Sequence, residues 1–166
     1  MSDMETQLQQ LLDKQAITER IYDYGRSMDR LDKELGYAVF HADCAADYGE
    51  QMFQGTGHGF VDMCMSVHPH FHAHSHQFSN IRIWIDGPDK ARSETYADVT
   101  LRRYEGEQAQ DIRNLGRYID RWEKRDGEWR IAERKFVLDF DVSGPATGAF
   151  ATTGKRDRTD PSYFGN

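Results

Sequence analysis

Apolar residues recur at steps of three and four over the first third of the chain, and at steps of two over most of the rest. "SDME" has capping-box spacing in Ser2 and Glu5, and Leu8, Leu11 and Leu12 follow at helical intervals. Ala16, Ile17, Ile21, Tyr24 and Met28 continue that stripe through "QAITERIYDYGRSMDRLD", which predicts an amphipathic helix ending near Asp29. Asp32 can cap a short second helix, "DKELGYAVFH", whose apolar residues are Leu35, Val39 and Phe40. "ADCAADYGE" reads as a short strand and the glycines of "FQGTGHGF" as a loop. A third helix is expected over roughly Gly57 to Val67, burying Phe60, Met63, Cys64 and Val67.

From Ser75 the period becomes two. "SHQFSNIRIWI", "ARSETYADVTLRRY", "IRNLGRYIDRWEKR" and "WRIAERKFVLDF" each read as a long strand, joined by the hairpin turns "DGPDK", "EGEQAQ" and "RDGE". Helices first and antiparallel strands afterwards predict an α+β fold, three helices against a curved sheet that forms a cone around a pocket. The domain is expected to span residues 1–141. The last segment, residues 142–166, is rich in Gly and Thr without a period; it fits an arm over a neighbouring subunit, a lid or a disordered tail.

Charge and composition narrow the function. Asp and Glu number 28 against 21 Lys and Arg, and the cations are scattered among acids, so no phosphate-tracking face for nucleic acid is expected. The nearest approach to a basic cluster, "GKRDRTD", is broken by aspartates. No basic n-region precedes an apolar run and no segment approaches a membrane span, which predicts a soluble cytoplasmic protein. Cys44 and Cys64 lack CxxC spacing and read as reduced, buried thiols.

The candidate chemistry centres on "HPHFHAHSHQF", which places His68, His70, His72, His74 and His76 at two-residue spacing. A single strand would point all five imidazoles one way and could hold a metal. Zinc ligands, however, usually come from separated elements, and Pro69 marks a turn or edge. The alternative needs one histidine, held in the useful tautomer by a carboxylate. Asp29, at the end of the first long helix, is the best carboxylate, and Tyr24 lies on the same pocket-facing stripe.

The pattern of "QAITERIYDYGRSMDRLDKE", "HSHQFSNIRIWI" and "LGRYIDRWEKRDGEWRIAERKFVLDF" resembles the NTF2-like superfamily in its SnoaL-like branch, over about residues 8–140. That branch includes scytalone dehydratase, a bile acid dehydratase and the lindane dehydrochlorinase. The resemblance implies a cone-shaped α+β barrel and a catalytic His76–Asp29 dyad, with Tyr24 as a catalytic hydroxyl. It further implies Tyr48, Asn80 and Arg134 as substrate-binding residues, Arg134 beside a leaving anion. The second histidine that scytalone dehydratase carries on the following strand has no counterpart around Val99 to Leu101.

Trp84, Tyr96, Phe136 and Phe140 are candidates to face a ring-bearing substrate. Ile81, Ile83 and Ile85 fall on the opposite side of an ideal strand from His76, so either a bulge intervenes or they pack under helices on the other face. His72 and His74 are expected at the pocket rim, with His68 and His70 solvated. The implied activity is that of a cofactor-independent dehydratase-type lyase, with no metal, acting on an apolar cyclic small molecule, steroid-like or aromatic polyketide-like. An isomerase or polyketide cyclase would use the same dyad, and a non-catalytic small subunit of a ring-hydroxylating dioxygenase would need none. The family also implies a homo-oligomer, a trimer or a dimer.

Overall fold

The computed structural model describes residues 2–148 and 150–164. Positions 149, 165 and 166 of the C-terminal segment, and residue 1, lie outside the described residues. Helix α1 spans Asp3–Arg30, opened by the Ser2/Glu5 capping box and closed by Leu31 in the left-handed conformation. Helix α2, Lys33–Val39, is capped by the Asp32 side chain, which accepts from the Leu35 amide. Strands β1 (Phe40–Asp47) and β2 (Gln54–Thr56) precede helix α3 (Gly57–Val67). A one-turn helix, His68–His70, leads into β3 (Ala73–Ile85), β4 (Lys90–Glu105), β5 (Gln108–Arg125) and β6 (Glu128–Pro145).

The strands form one six-stranded sheet in the order β2-β1-β6-β5-β4-β3. It is open, with the three helices against it as expected, but mixed where an antiparallel sheet was expected: β1 runs parallel to β6, with Ala46 opposite Arg134. Period-two patterning fixes that a segment is a strand and which face it buries; it carries no signal for the direction of a partner so far along the chain, with a helix and four other strands between. "FQGTGHGF", expected as a loop, contains β2, and β6 continues through Pro145 opposite Gln110.

Not all of the helical stripe is buried. Leu8, Leu11 and Leu12 are exposed, and burial of α1 begins at Asp13, which accepts from the Trp129 indole at 2.8 Å and from the Lys124 ammonium at 2.9 Å. From there Ile17, Ile21, Tyr24 and Met28 enter a core shared with Val39, Phe40, Val61, Trp122 and Ile131. In α3, Phe60 and Cys64 are buried as expected, while Val67 is exposed where the helix gives way to the one-turn helix.

A bulge in β3 resolves the phase problem posed by the isoleucines. Pairing with β4 is regular from Ala73 to Ser79, breaks at Asn80 and resumes at Arg82 opposite Glu94. Asn80 adopts φ +48, the left-handed region that asparagine tolerates better than most residues. Inward positions are therefore His74, His76 and Phe78 before the bulge, and Ile81, Ile83 and Ile85 after it.

Candidate active site

Asp29 and His76 meet where the last turn of α1 crosses β3. The Asp29 Oδ1 atom lies 2.7 Å from His76 Nδ1, and both carboxylate oxygens accept the His76 backbone amide at 3.1 Å. Gly25, one turn earlier on α1, permits this approach: a Cβ there would stand 2.8 Å from Phe78 Cε2 and 3.4 Å from His76 Cβ. Burial would raise the Asp29 pKa, but contacts from His74 and His76 prevail and hold it at about 2. The carboxylate is thus ionised, so the His76 Nδ1 atom that faces it is the donor. The Nε2 atom has no hydrogen-bond partner among the described residues, and the ring lines a cavity.

That cavity has a volume of about 90 Å³. Its polar lining is Tyr24, Tyr48, His68, His76, Asn114 and Tyr118, and its apolar lining is Met52, Phe60, Cys64, Val99, Leu101 and Phe136. The hydroxyls of Tyr24 and Tyr48 are 3.1 Å apart. Burial raises both phenol pKa values and pushes Tyr118 up to about 12, so all three remain protonated donors. Burial likewise pushes the Cys64 thiol up to about 12, which removes a thiolate nucleophile from consideration.

Arg134 lies behind this wall and does not line the cavity. It is fully buried, bonds Asp120 through two parallel contacts of 2.7 and 2.8 Å, and stacks its guanidinium 4.3 Å from the Tyr24 ring centre and 4.2 Å from that of Tyr118. A substrate could sense Arg134 through the tyrosines in front of it, the rings of Tyr24 and Tyr118 and the Tyr48 phenol, whose pKa its charge lowers against the effect of burial.

Four further candidate residues fall outside the cavity. Asn80 is the exposed bulge residue. Trp84, placed by an unbroken alternation on the His76 face, is turned outward by the bulge and lies between the Arg82 and Arg92 guanidiniums. Of the other aromatics, Phe136 lines the cavity, whereas Tyr96 and Phe140 are exposed.

The histidine run also departs from expectation. His72 is exposed against Tyr104, and the His74 side chain is fully buried, with Nδ1 3.5 Å from Asp29 Oδ1. His68, expected in solvent, turns inward at the end of α3 and lines the cavity. Burial, reinforced by His74 and His76 beside it, pushes its pKa down to about 3. The proline that breaks the strand pattern at Pro69 is the signal that could have revealed this: it makes His68 a helix-end residue with its own direction. Asn114 and Tyr118, inward residues of β5, were legible from alternation but carried no distinguishing motif.

One donor each from Asp29, His74 and His76 falls within a 4.8 Å cluster, a spacing that a metal could use. The His74 Nε2 atom, however, accepts from the Arg156 guanidinium at 2.8 Å, which leaves the ring proton on Nδ1 and no lone pair there for a cation. The arrangement suits proton transfer better than ligation.

A SnoaL-like domain family model matches residues 9–135. Among solved structures, a scytalone dehydratase-like protein from Novosphingobium aromaticivorans is 23% identical with a TM-score of 0.72, covering 90% of this chain and 95% of that one. A type 2 hexachlorocyclohexane dehydrochlorinase is 22% identical with a TM-score of 0.74, covering 89% and 99%. An aromatic ring hydroxylase-like protein, also from Novosphingobium aromaticivorans, is 18% identical with a TM-score of 0.70, covering 82% and 94%. No curated protein sequence matches the chain. With three helices on a six-stranded sheet and the family pattern running through most of its length, the chain belongs to the SnoaL-like domain family, of NTF2-like fold.

Proposed function

We propose that this protein is a cofactor-independent lyase of the dehydratase type. His76 is the general base, Asp29 orients it, and Tyr24 with Tyr48 binds the oxygen that leaves. The observation that carries the reading is the 2.7 Å contact between Asp29 and His76 at the wall of an apolar cavity. His76 Nε2 takes a proton from an acidified C–H bond, the C–H electrons become the new double bond, and the leaving oxygen departs with its own pair. A phenol hydroxyl beside that oxygen stabilises the charge or protonates it to water. Isomerisation begins with the same proton transfer, so the first step is common to both reactions. A pure scaffold subunit has no use for six polar side chains converging on one cavity.

The cavity narrows the substrate. At about 90 Å³ it is smaller than the ~150 Å³ apolar cavity that accepts benzene, so it takes in only the reacting edge of a ring-bearing substrate, with the rest at its mouth. Exposed Tyr96, Ile119, Leu138 and Phe140 on β4, β5 and β6 support the homo-oligomer that the family implies.

A nitrobenzisoxazole tests the base without knowledge of the natural substrate: loss of its ring C–H proton cleaves the N–O bond and releases a coloured phenolate. The wild type should accelerate this reaction, and His76→Ala should lose about 10²- to 10⁴-fold of the acceleration. Equal rates in the two proteins would defeat the assignment.

A further inference from the structure

The C-terminal segment supplies a contact to the site from outside the family-matched residues 9–135. Its final turn, Pro161–Tyr163, is fastened to the end of α1 and the start of α2. Arg26 donates to the Ser162 hydroxyl at 3.1 Å and its carbonyl at 3.2 Å, and the Tyr163 hydroxyl donates to Asp32 at 3.1 Å. Asp160, 6% exposed, accepts from the Lys155 amide at 2.9 Å and the Ser162 amide at 3.0 Å, and lies 3.3 Å from Arg30 Nε. This folded loop carries the "GKRDRTD" sequence to the histidine run. There Arg156 Nη1 donates to the His68 carbonyl at 2.9 Å and to His74 Nε2 at 2.8 Å, while Nη2 reaches the Pro69 carbonyl at 3.4 Å.

We propose that Arg156 is a positioning residue: it fixes His74 in the Nδ1–H tautomer facing Asp29, and so keeps the Asp29–His74–His76 cluster an acid–base site. This rests on the dyad reading above. A guanidinium has only donors and stays charged at any pH at which proteins fold, so the ring nitrogen it touches must be an acceptor. The remaining proton then sits on Nδ1, a buried atom that lies 3.5 Å from the carboxylate and makes no hydrogen bond among the described residues. The Nδ1–H dipole thus faces Asp29 favourably, while the carboxylate's hydrogen bonds go to His76.

The groups facing His74 are Asp29, Arg156, His76 and His68. Protonating His74 would set a new N–H against the guanidinium, and burial opposes that charge as well. A metal on His74 Nδ1 would force the proton to Nε2 and create the same clash, so a seated Arg156 and a ligated cation exclude one another. Lysine cannot substitute, because one ammonium does not span a ring nitrogen and two carbonyls in this fork.

Imidazole proton–nitrogen correlation spectra of the isotope-labelled protein at neutral pH read the tautomers directly. The expected result is His74 as Nδ1–H in the wild type, with the Nε2–H form appearing in both Arg156→Gln and Arg156→Lys. His74 as Nε2–H in the wild type, or an unchanged tautomer in both variants, would overturn the proposal. His76 appears in the same spectrum. If it lacks a proton on Nδ1, the dyad reading fails separately, whatever His74 does.

Discussion

Asp29 grips His76 at two points, the ring at Nδ1 and the backbone amide of the same residue. One hydrogen bond would orient an imidazole while leaving its strand free to slide; the second fixes the strand to the helix end. Orientation and register are thereby set by a single carboxylate, whose ionisation is secured by the same contacts.

Asp29→Asn removes the charge that holds the imidazole tautomer and that stabilises the imidazolium formed on proton transfer. The turnover of the nitrobenzisoxazole should fall by about 10²- to 10⁴-fold while the fold persists. Steady-state rates beside far-ultraviolet dichroism separate the two effects; an unchanged rate would remove Asp29 from the chemistry.

Acid should destabilise the protein in two adjoining windows. His68 has a folded pKa of about 3 against an ordinary 6.5, so below pH 6.5 the unfolded chain binds a proton that the folded one refuses. Stability is then lost as pH falls, at up to about 1.4 kcal/mol per pH unit. Asp29, folded at about 2 against 3.8, adds a second loss with the same sign between roughly pH 4 and pH 2. Urea unfolding at pH 7 and pH 5 should show the first window in the wild type and a flatter profile in His68→Phe.

The Arg134–Asp120 pair is fully buried, so Asp120→Ala strands a guanidinium in the core. A loss of about 3–5 kcal/mol is expected by urea unfolding, with much of it recovered when Arg134→Met is added. A loss below about 1 kcal/mol would mean that water reaches the guanidinium.

Gly25→Ala would drive a methyl group into Phe78 at the contact between α1 and β3. Overpacking of this kind costs about 1–3 kcal/mol, and relief displaces the Phe78 ring or draws β3 away from Asp29. Activity on the nitrobenzisoxazole should therefore drop along with stability, unlike an overpacking variant far from the dyad.

Much of this was legible in the sequence for identifiable reasons. Helical spacing located Tyr24 and Met28 on the buried stripe of α1, and strand alternation located Phe136 on the inner face of β6. The helix end pointed to Asp29, but its pairing with His76 came from resemblance, since no local pattern links residues 47 positions apart. Trp84 was misplaced because alternation carries across a bulge only when the bulge is known, and Asn80 has no glycine to advertise a left-handed residue. His68 was misread for a related reason: a two-residue spacing persists in the text across Pro69 although the backbone changes from helix to strand. Arg156 lay outside any periodic segment, and its role depends on where a loop without regular structure returns.

The bulge at Asn80 has a practical meaning for anyone altering this protein. Ahead of it, β3 turns its even-numbered residues inward, His76 to the cavity and Phe78 against α1; behind it, the odd-numbered isoleucines turn inward to the core. Because the inward parity changes at the bulge, each stretch can be rewritten without turning the other over. A library built on positions 74 and 76 would vary the proposed chemistry on a constant chassis, and one built on positions 81–85 would vary the chassis beneath it.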